Sequence, residues 1–301
     1  MSSISVVIPA YNQPRMLSEA LMGVRAQTVA PAEVIVIDDC SEQPLAHATE
    51  VPDGLSVRFV RNPENLGPGA SVVRGVRESH GDLLSTLNHD DVWEPLFLER
   101  LVGALDEHPE ACFAFCDHGV MLADGSHDEQ RSREQSARFG RLGLPGGLLT
   151  GERLYRTALL DKAVAASSFT LVRQAALDLE LIAAGADTWD YCVAVGACRA
   201  GDSAVYVDER LGWYRFSPTM LSTTWVDPAK QVQLARAQTM ALMVILLSAR
   251  LAAVHPEVRR RLGLAVRHAL MAALRTRDPR SMVTVTARIL AGAREARRLV
   301  R

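Results

Sequence analysis

Apolar residues fall along the first 120 positions in two alternating periods. Residues 4–8 are a short β-branched run. In residues 14–26, Met16, Leu17, Ala20, Leu21 and Val24 recur at helical spacing. Residues 34–37 and 57–60 read as second and third strands, 69–78 as a helix, 82–87 as a fourth strand, 96–107 as a helix and 112–116 as a fifth strand. Strands alternating with helices predict an α/β fold, with a mostly parallel, doubly wound sheet covered on both faces.

The regular pattern then stops. Residues 123–147 are rich in Gly, Ser, Arg and acids. That is long for a connection, so the stretch is expected to be disordered or to form a functional loop over the sheet rim. Further on, 167–172 is strand-like, 177–184 and 189–199 are helical, and 204–207 and 211–216 are strands. After Pro228 the composition turns to Ala, Leu and Arg. Three helices fit there, at about 229–254, 257–276 and 280–299, separated at Pro256 and Pro279. The expected organisation is an α/β domain over residues 1–226 and a basic helical region over 227–301.

Charge sharpens that division. The formal net charge is only −2, yet from His255 to Arg301 there are 12 Arg against Glu257, Asp278 and Glu295. Such a tail fits solvated helix faces with a homodimer seam at residues 240–247. It also fits peripheral contact with anionic lipid or a lipid diphosphate. With aromatics at 5% and none interleaved with the arginines, no nucleic-acid partner is expected. The opening apolar run is too short for a signal peptide and Pro9 ends it. The longest uncharged apolar stretch, 237–249, is 13 residues, against about 20 for a membrane span. Cys40, Cys112, Cys116, Cys192 and Cys198 are odd in number and lack CxxC spacing, which predicts buried thiols in a reducing cytoplasm.

Candidate chemistry gathers where the strands end. Pro9-Ala10-Tyr11-Asn12 follows the first, Asp38-Asp39-Cys40-Ser41 the second, Asn65-Leu66-Gly67 the third and Asn88-His89-Asp90-Asp91 the fourth. A polar turn after a strand is ordinary. Four on one rim of a parallel sheet are not, because ligands of such sheets sit outside the carboxyl ends of the strands. Adjacent carboxylates there, such as Asp90 and Asp91, suit a hard divalent cation, which in turn can hold a diphosphate. His89 and His118 read as turn or surface histidines. Gly67-Pro68-Gly69 starts a GxGxx pattern, but Val72 replaces the third glycine and the run follows the third strand, so a dinucleotide site is not expected.

These segments together resemble the inverting family 2 glycosyltransferases of GT-A fold. The similarity is carried by Ser5-Val6-Val7-Ile8-Pro9-Ala10-Tyr11-Asn12, Val34-Ile35-Val36-Ile37-Asp38-Asp39-Cys40-Ser41, Arg61-Asn62-Pro63-Glu64-Asn65-Leu66-Gly67 and Leu87-Asn88-His89-Asp90-Asp91-Val92-Trp93-Glu94-Pro95. It continues more weakly through Ser167-Ser168-Phe169, Asp187 to Asp190, and Tyr214-Arg215. The resemblance implies a GT-A (Rossmann-like) domain followed by the C-terminal helices. It implies transfer from a nucleotide-diphosphate sugar, UDP-linked, to a hydroxyl of a glycan, lipid-linked or natural-product acceptor. Pro9, Ala10, Tyr11 and Asn12 would line the base, and Asp38, Asp39, Asn65, Gly67, Asn88 and Asp90 would lie along the nucleotide. Asp90 and Asp91 would hold Mg²⁺ or Mn²⁺. Asp190 would be the general base, with Asp187 beside it as the alternative. A plain helix start, with Asp187 as N-cap and Asp190 in the first turn, explains the same residues.

Three positions depart from the family pattern. Asn88 stands where an Asp is usual. Ser71-Val72-Val73 replaces Ala-Arg-Asn, leaving Arg74 or Arg77 to supply a cation. Ser217 replaces a His. They keep a second reading open, a catalytically weak sugar-nucleotide-binding protein of the same fold. A nucleotidyltransferase is disfavoured because Lys162 and Lys230 are the only lysines and neither is near the first strand.

Overall fold

The chain begins with β1 (Ile4–Ala10), α1 (Pro14–Arg25), β2 (Glu33–Asp38), a single turn α2 (Leu45–Ala48), β3 (Val57–Arg61), α3 (Pro68–Glu78) and β4 (Leu83–Thr86). The structure, a computed structural model, describes residues 2–164, 167–216, 228–275 and 279–300. The four strands run parallel in the order β3-β2-β1-β4. Both faces are covered, so side chains alternate between two cores. Val6, Ile8, Val34 and Val36 pack with Leu17 and Leu21 of α1, whereas Val7, Ile35 and Ile37 pack with Val72 and Val76 of α3.

Then follow β5 (Val92–Trp93), α4 (Phe97–Glu107), β6 (Phe113–Leu122), α5 (Glu129–Arg138), β7 (Gly147–Thr150), α6 (Gly151–Tyr155) and a π-helical turn (Arg156–Leu160). After these come β8 (Thr170–Arg173), α7 (Leu179–Gly185), α8 (Trp189–Ala200) and β9 (Ser203–Phe216). The described residues build one nine-stranded sheet ordered β3-β2-β1-β4-β8-β6-β9-β5, with β7 paired to β9. The expected parallel pairing holds for β1 to β4 and for β6 with β9, while β8, β5 and β7 add antiparallel pairs. The two strands expected at 204–207 and 211–216 are one, β9, irregular in register opposite Cys116, Asp117 and Gly119.

The stretch 123–147 is not structureless. It holds α5, capped by Asp128, whose side chain accepts the Arg131 N–H at 2.9 Å. Its sequence, EQRSREQSAR, has almost no apolar stripe, so periodicity could not reveal it.

The C-terminal helices are α9 (Pro228–Leu247), α10 (His255–Arg275) and α11 (Pro279–Val300). The first helix ends at Leu247, with Ser248 extended (φ −87°, ψ 114°), earlier than a break at Pro256. The expected dimer seam at residues 240–247 is instead largely intramolecular. Met240, Ala241, Val244 and Ile245 are buried in the same core as Val7, Ile35 and Phe113, and Leu247 alone of the run is exposed. Gly292 lets α11 approach α9, since a Cβ there would lie 2.7 Å from the Arg236 carbonyl oxygen. Among the described residues no single helix is long and apolar enough to cross a membrane. The expected boundary at 226–227 lies outside the described residues.

Three strand ends finish level: Ala10 pairs with Asp38, and Asp38 with Arg61. The ladder extends past the strands, with Asp39 N–H donating to Ala10 O (2.9 Å), Asn62 N–H to Asp38 O (2.8 Å) and Leu87 N–H to Val7 O (2.9 Å). The four polar clusters therefore share one rim.

This arrangement depends on α3 lying close on β1. A Cβ at Gly75 would fall 2.2 Å from Val7 Cγ1 and 3.3 Å from Ile37 Cγ1. Gly75→Ala is expected to destabilise the fold by about 1–3 kcal/mol through overpacking. The check is urea unfolding, where the midpoint should fall with an unchanged slope.

Candidate active site

The rim separates carboxylates already engaged by the protein from those left open. Asp91 is 1% exposed and engaged. Its Oδ2 accepts the Ser168 hydroxyl at 2.6 Å and the Asn88 amide at 3.1 Å, and its Oδ1 accepts the Arg215 N–H at 3.1 Å. Burial first, then the charge of Asp90, pushes its carboxyl up to about 7, while the bonds from Ser168, Arg215 and Asn88 pull the other way. Ser168 also accepts the Asn88 N–H at 3.0 Å. Arg215, itself buried, donates to the Asp90 carbonyl at 2.8 Å and to Glu19 Oε2 at 2.6 Å. The turn after β4 is thus locked to the start of β8, the end of β9 and α1.

Asp90 differs. Its side chain is half-buried, and among the described residues no hydrogen bond claims its carboxylate. No set of three or more His, Cys, Asp or Glu side chains among those residues forms a metal cage. Mg²⁺ needs no such cage, because one or two carboxylates suffice when substrate phosphates and water complete its shell. A half-buried carboxylate such as Asp90 is of the kind that chemistry uses, whereas Asp91 is turned inward.

Asp38 and Asp39 are both buried. Asp38 Oδ1 accepts the Ser41 N–H at 2.9 Å, and its Oδ2 takes the Leu45 N–H (3.1 Å) and the Arg61 guanidinium (2.6 Å). Asp39 accepts the Asn62 amide (2.7 Å) and the N–H groups of Leu66 (2.9 Å) and Gly67 (2.8 Å). It fixes the loop that enters α3, where Gly67 has φ 85°, a conformation glycine tolerates best. Asn65 is exposed in that loop. Asn12 (φ 53°) and Cys40 (φ 63°) are left-handed, and Asn12 ties the first two clusters together through Ser41 (3.0 Å) and the Glu42 N–H (2.8 Å). Pro9 and Ala10 are buried inside β1, whereas Tyr11 is 43% exposed at the rim. Arg74 donates to Asn62 Oδ1 at 2.6 Å and to the Arg61 carbonyl at 2.9 Å, and Arg77 faces solvent.

The α7–α8 junction reaches the same end of the molecule. A Cβ on Gly69, in the first turn of α3, would meet the Ala186 carbonyl at 3.1 Å and Trp189 Cβ at 3.2 Å. Ala186 is strained, with φ 45°. Asp187 follows in a 3₁₀ turn, and its side chain lies outside what is described. Asp190 stands in the first turn of α8, its Oδ1 accepting the Tyr191 N–H at 2.8 Å. Burial raises its carboxyl to about 6, with the Tyr191 N–H and then Lys162 opposing the rise.

Two histidine expectations resolve differently. His89 Nδ1 lies 3.2 Å from the Pro9 carbonyl, which assigns that nitrogen the hydrogen and leaves His89 in the turn. His118 is neither turn nor surface. It is buried against Phe169, with ring centroids 4.5 Å apart, and burial and Arg141 hold it neutral. Ser217 lies outside the described residues. Sequence reasoning missed Ser168 and Arg215 as the partners of Asp91, and Lys162 as a cation over the ring of Tyr191, the residue next in sequence to Asp190. Their signal was weak: Ser168 and Arg215 sat in the fainter half of the resemblance, and Lys162 carried none beyond its rarity. A cavity of about 330 Å³ beside α5, lined by Asp117, Glu129, Arg133, Ser136, Leu142 and Arg210, includes none of the predicted site residues.

A mixed sheet with strand-end carboxylates around a glycine-entered helix defines an α/β protein with a polar rim at the ends of its parallel strands. The model of glycosyl transferase family 2 matches residues 5–178, and the chain belongs to that family. Among curated relatives, an uncharacterised glycosyltransferase of Haemophilus influenzae is 30% identical over 112 residues, covering 37% of each chain. The succinoglycan biosynthesis protein ExoO of Rhizobium meliloti is 30% identical over 143 residues, covering 47% of this chain and 40% of that one. The matched stretch thus spans less than half the length of these relatives. Among solved structures, Staphylococcus aureus TarS 1–349 in complex with UDP-GlcNAc aligns over 97% of this chain and 81% of its own, with TM-score 0.68 and 15% identity. The mannosyltransferase PcManGT of Pyrobaculum calidifontis, with GDP-Man and Mn²⁺, aligns over 98% and 87%, with TM-score 0.58 and 15% identity. At such identity the likeness establishes the shared fold, a GT-A-like α/β architecture extended by C-terminal helices.

The Asp91 knot gives the prediction for this site. Ser168→Ala removes a donor to a buried carboxylate and an acceptor for Asn88 N–H. Calorimetric unfolding should show a loss of about 1–3 kcal/mol. A loss below 0.5 kcal/mol, roughly the size of a surface substitution, would show that Ser168 is not holding Asp91.

Proposed function

We propose that the protein transfers a sugar from a nucleotide-diphosphate donor, UDP-linked, to a hydroxyl acceptor with inversion at the anomeric carbon. The observation carrying this reading is the division of labour among the acids. Asp38, Asp39 and Asp91 are consumed in holding the rim, while among the described residues no hydrogen bond claims the Asp90 carboxylate or the Oδ2 of Asp190. A transferase of this kind needs two such groups, one near the departing diphosphate and one for the acceptor's proton.

Tyr11 and Asn12 would face the base, with Asp38 and Asp39 holding the loops around it. The Asp39-braced loop would lie along the ribose and diphosphate, with α3 beginning beside it. Asp90 would hold Mg²⁺ or Mn²⁺. When bound, such a cation supplies neutralisation of the charge that grows on the diphosphate. Asp190 Oδ2 would take the proton of the acceptor hydroxyl. The acceptor oxygen would bond to the anomeric carbon as its bond to the phosphate oxygen breaks, and the electron pair would leave on the diphosphate. A carboxyl raised to about 6 is basic enough for this work and still largely ionised at pH 7. The UDP preference is supported by the rim motifs and by the structural neighbour with UDP-GlcNAc, whereas the other neighbour carries GDP-Man. One observation favours the binding-protein reading: the Asn88 amide is turned to Asp91.

The test is nucleotide release from a panel of UDP- and GDP-sugars with Mn²⁺. Release is expected with a UDP-sugar and should fall at least about tenfold in EDTA or in Asp90→Ala. Asp190→Asn should lose about 10²–10⁴-fold in rate while keeping its UDP affinity by calorimetry. UDP binding with no release from any donor would favour the binding-protein reading instead. Because Asp190 must be ionised to act, the rate should rise with pH through about 6.

A further inference from the structure

Helices α10 and α11 each pack one face on this chain and expose the other. On α10, Val258, Leu262 and Ala265 recur at helical spacing and join the core shared with the sheet. On α11, Val285, Gly292 and Ala296 are buried. The outward faces carry arginine. Arg259, Arg267, Arg288, Arg294 and Arg297 are exposed, and among the described residues their side chains make no hydrogen bond or ion pair. The described acids of these helices are engaged by other arginines. Glu257 accepts from Arg260 (2.6 Å) and Arg261 (3.1 Å), and Glu295 accepts from Arg298 (2.9 Å).

Apolar side chains that the core does not use stand between these arginines. Leu264 is 41%, Met271 46% and Leu290 53% exposed. Arg260, Leu264, Arg267 and Met271 step along α10 at helical spacing and share one face, and Leu290, Arg294 and Arg297 do the same on α11. A single exposed leucine is ordinary. Three in register with unpaired cations make a surface that is basic and apolar at once.

That combination decides between partners. From Pro228 to Arg301 there is no Phe, Tyr or Trp, so no ring is available to stack on a base. The same face of a second copy would set like charges opposite one another. A solvated polyanion would leave Leu264, Met271 and Leu290 in water. An anionic bilayer takes both kinds of side chain, guanidinium groups at the head groups and apolar groups at the acyl boundary. Residues 1–254 hold 21 basic and 32 acidic side chains. The same surface therefore repels the rest of the chain, which gives docking one orientation.

We infer that the outward faces of α10 and α11 dock on the surface of an anionic lipid bilayer, with the arginines on head groups and Leu264, Met271 and Leu290 inserted shallowly between them. This is peripheral attachment, and it stands independently of the donor chemistry proposed above.

The test is co-sedimentation of the full chain with phosphatidylcholine vesicles, with and without phosphatidylserine. Partitioning is expected only with phosphatidylserine, and it should weaken at least about tenfold between about 0.1 M and about 1 M salt. Arg267→Gln with Arg294→Gln should weaken it about 25-fold, roughly fivefold for each arginine, and Arg267→Lys with Arg294→Lys should hold it within about twofold. Leu264→Ser with Leu290→Ser should weaken it at least about fivefold at unchanged charge. Binding that ignores phosphatidylserine or salt, or that is absent from both vesicles, overturns the inference. So does an unmoved partition in the glutamine pair. An unmoved partition in the serine pair leaves a polyanion surface in place of a bilayer site. A dimer by light scattering that the glutamine pair dissolves makes the face a contact between copies and overturns it too. If circular dichroism shows either neutral pair unfolded, the lipid and salt dependence of wild type and the lysine pair decides on the same terms.

Discussion

The buried carboxylate of Asp91 is the constraint on which the rim depends. An ionised acid without partners in such a place would cost several kcal/mol. Here three donors converge on it, Ser168, Asn88 and the backbone of Arg215. Each belongs to a different part of the chain: the lead-in to β8, the turn after β4 and the end of β9. Satisfying one carboxylate therefore fixes where three segments meet. Arg215 extends the knot to Glu19 on α1.

That knot explains why adjacent acids behave differently. With Asp91 drawn inward, the same turn leaves Asp90 half-buried and, among the described residues, without a hydrogen bond to its carboxylate. The second strand end repeats the logic, since Asp38 and Asp39 spend their oxygens on Arg61 and on the backbone of the loops around them. The rim is held in place by acids whose oxygens are bonded within the protein, and on the proposed function this would let the remaining ones face a ligand at little reorganisation cost. The C-terminal helices belong to the same design. They share a core with the sheet through Met240 and Ile245 and brace the Lys162 turn through Arg261.

Much of this was legible in the sequence where local pattern and tertiary environment agree. β1 to β4 and their helices follow from apolar runs and helical spacing, because a parallel sheet buried on both faces must be apolar along its length. The four strand-end clusters could be placed on one rim for the same reason. What escaped was set by contacts distant in sequence. α5 has no apolar stripe to announce it. The residues at 240–247 read as a seam for a second copy because nothing local shows that they fill this chain's own core. The unlike roles of Asp90 and Asp91 depend on Ser168 and Arg215, some 77 and 124 residues beyond Asp91. The turn that carries Lys162 is likewise set by three remote side chains, Tyr191, Arg261 and Arg141.

The most direct measurement is anomalous diffraction at the manganese edge from crystals grown with UDP and Mn²⁺. The account predicts one peak between the Asp90 carboxylate and the diphosphate, with Asp91 still bonded to Ser168 and the Arg215 backbone. UDP bound at the rim with manganese absent or held away from Asp90, or a rim left empty, would contradict it.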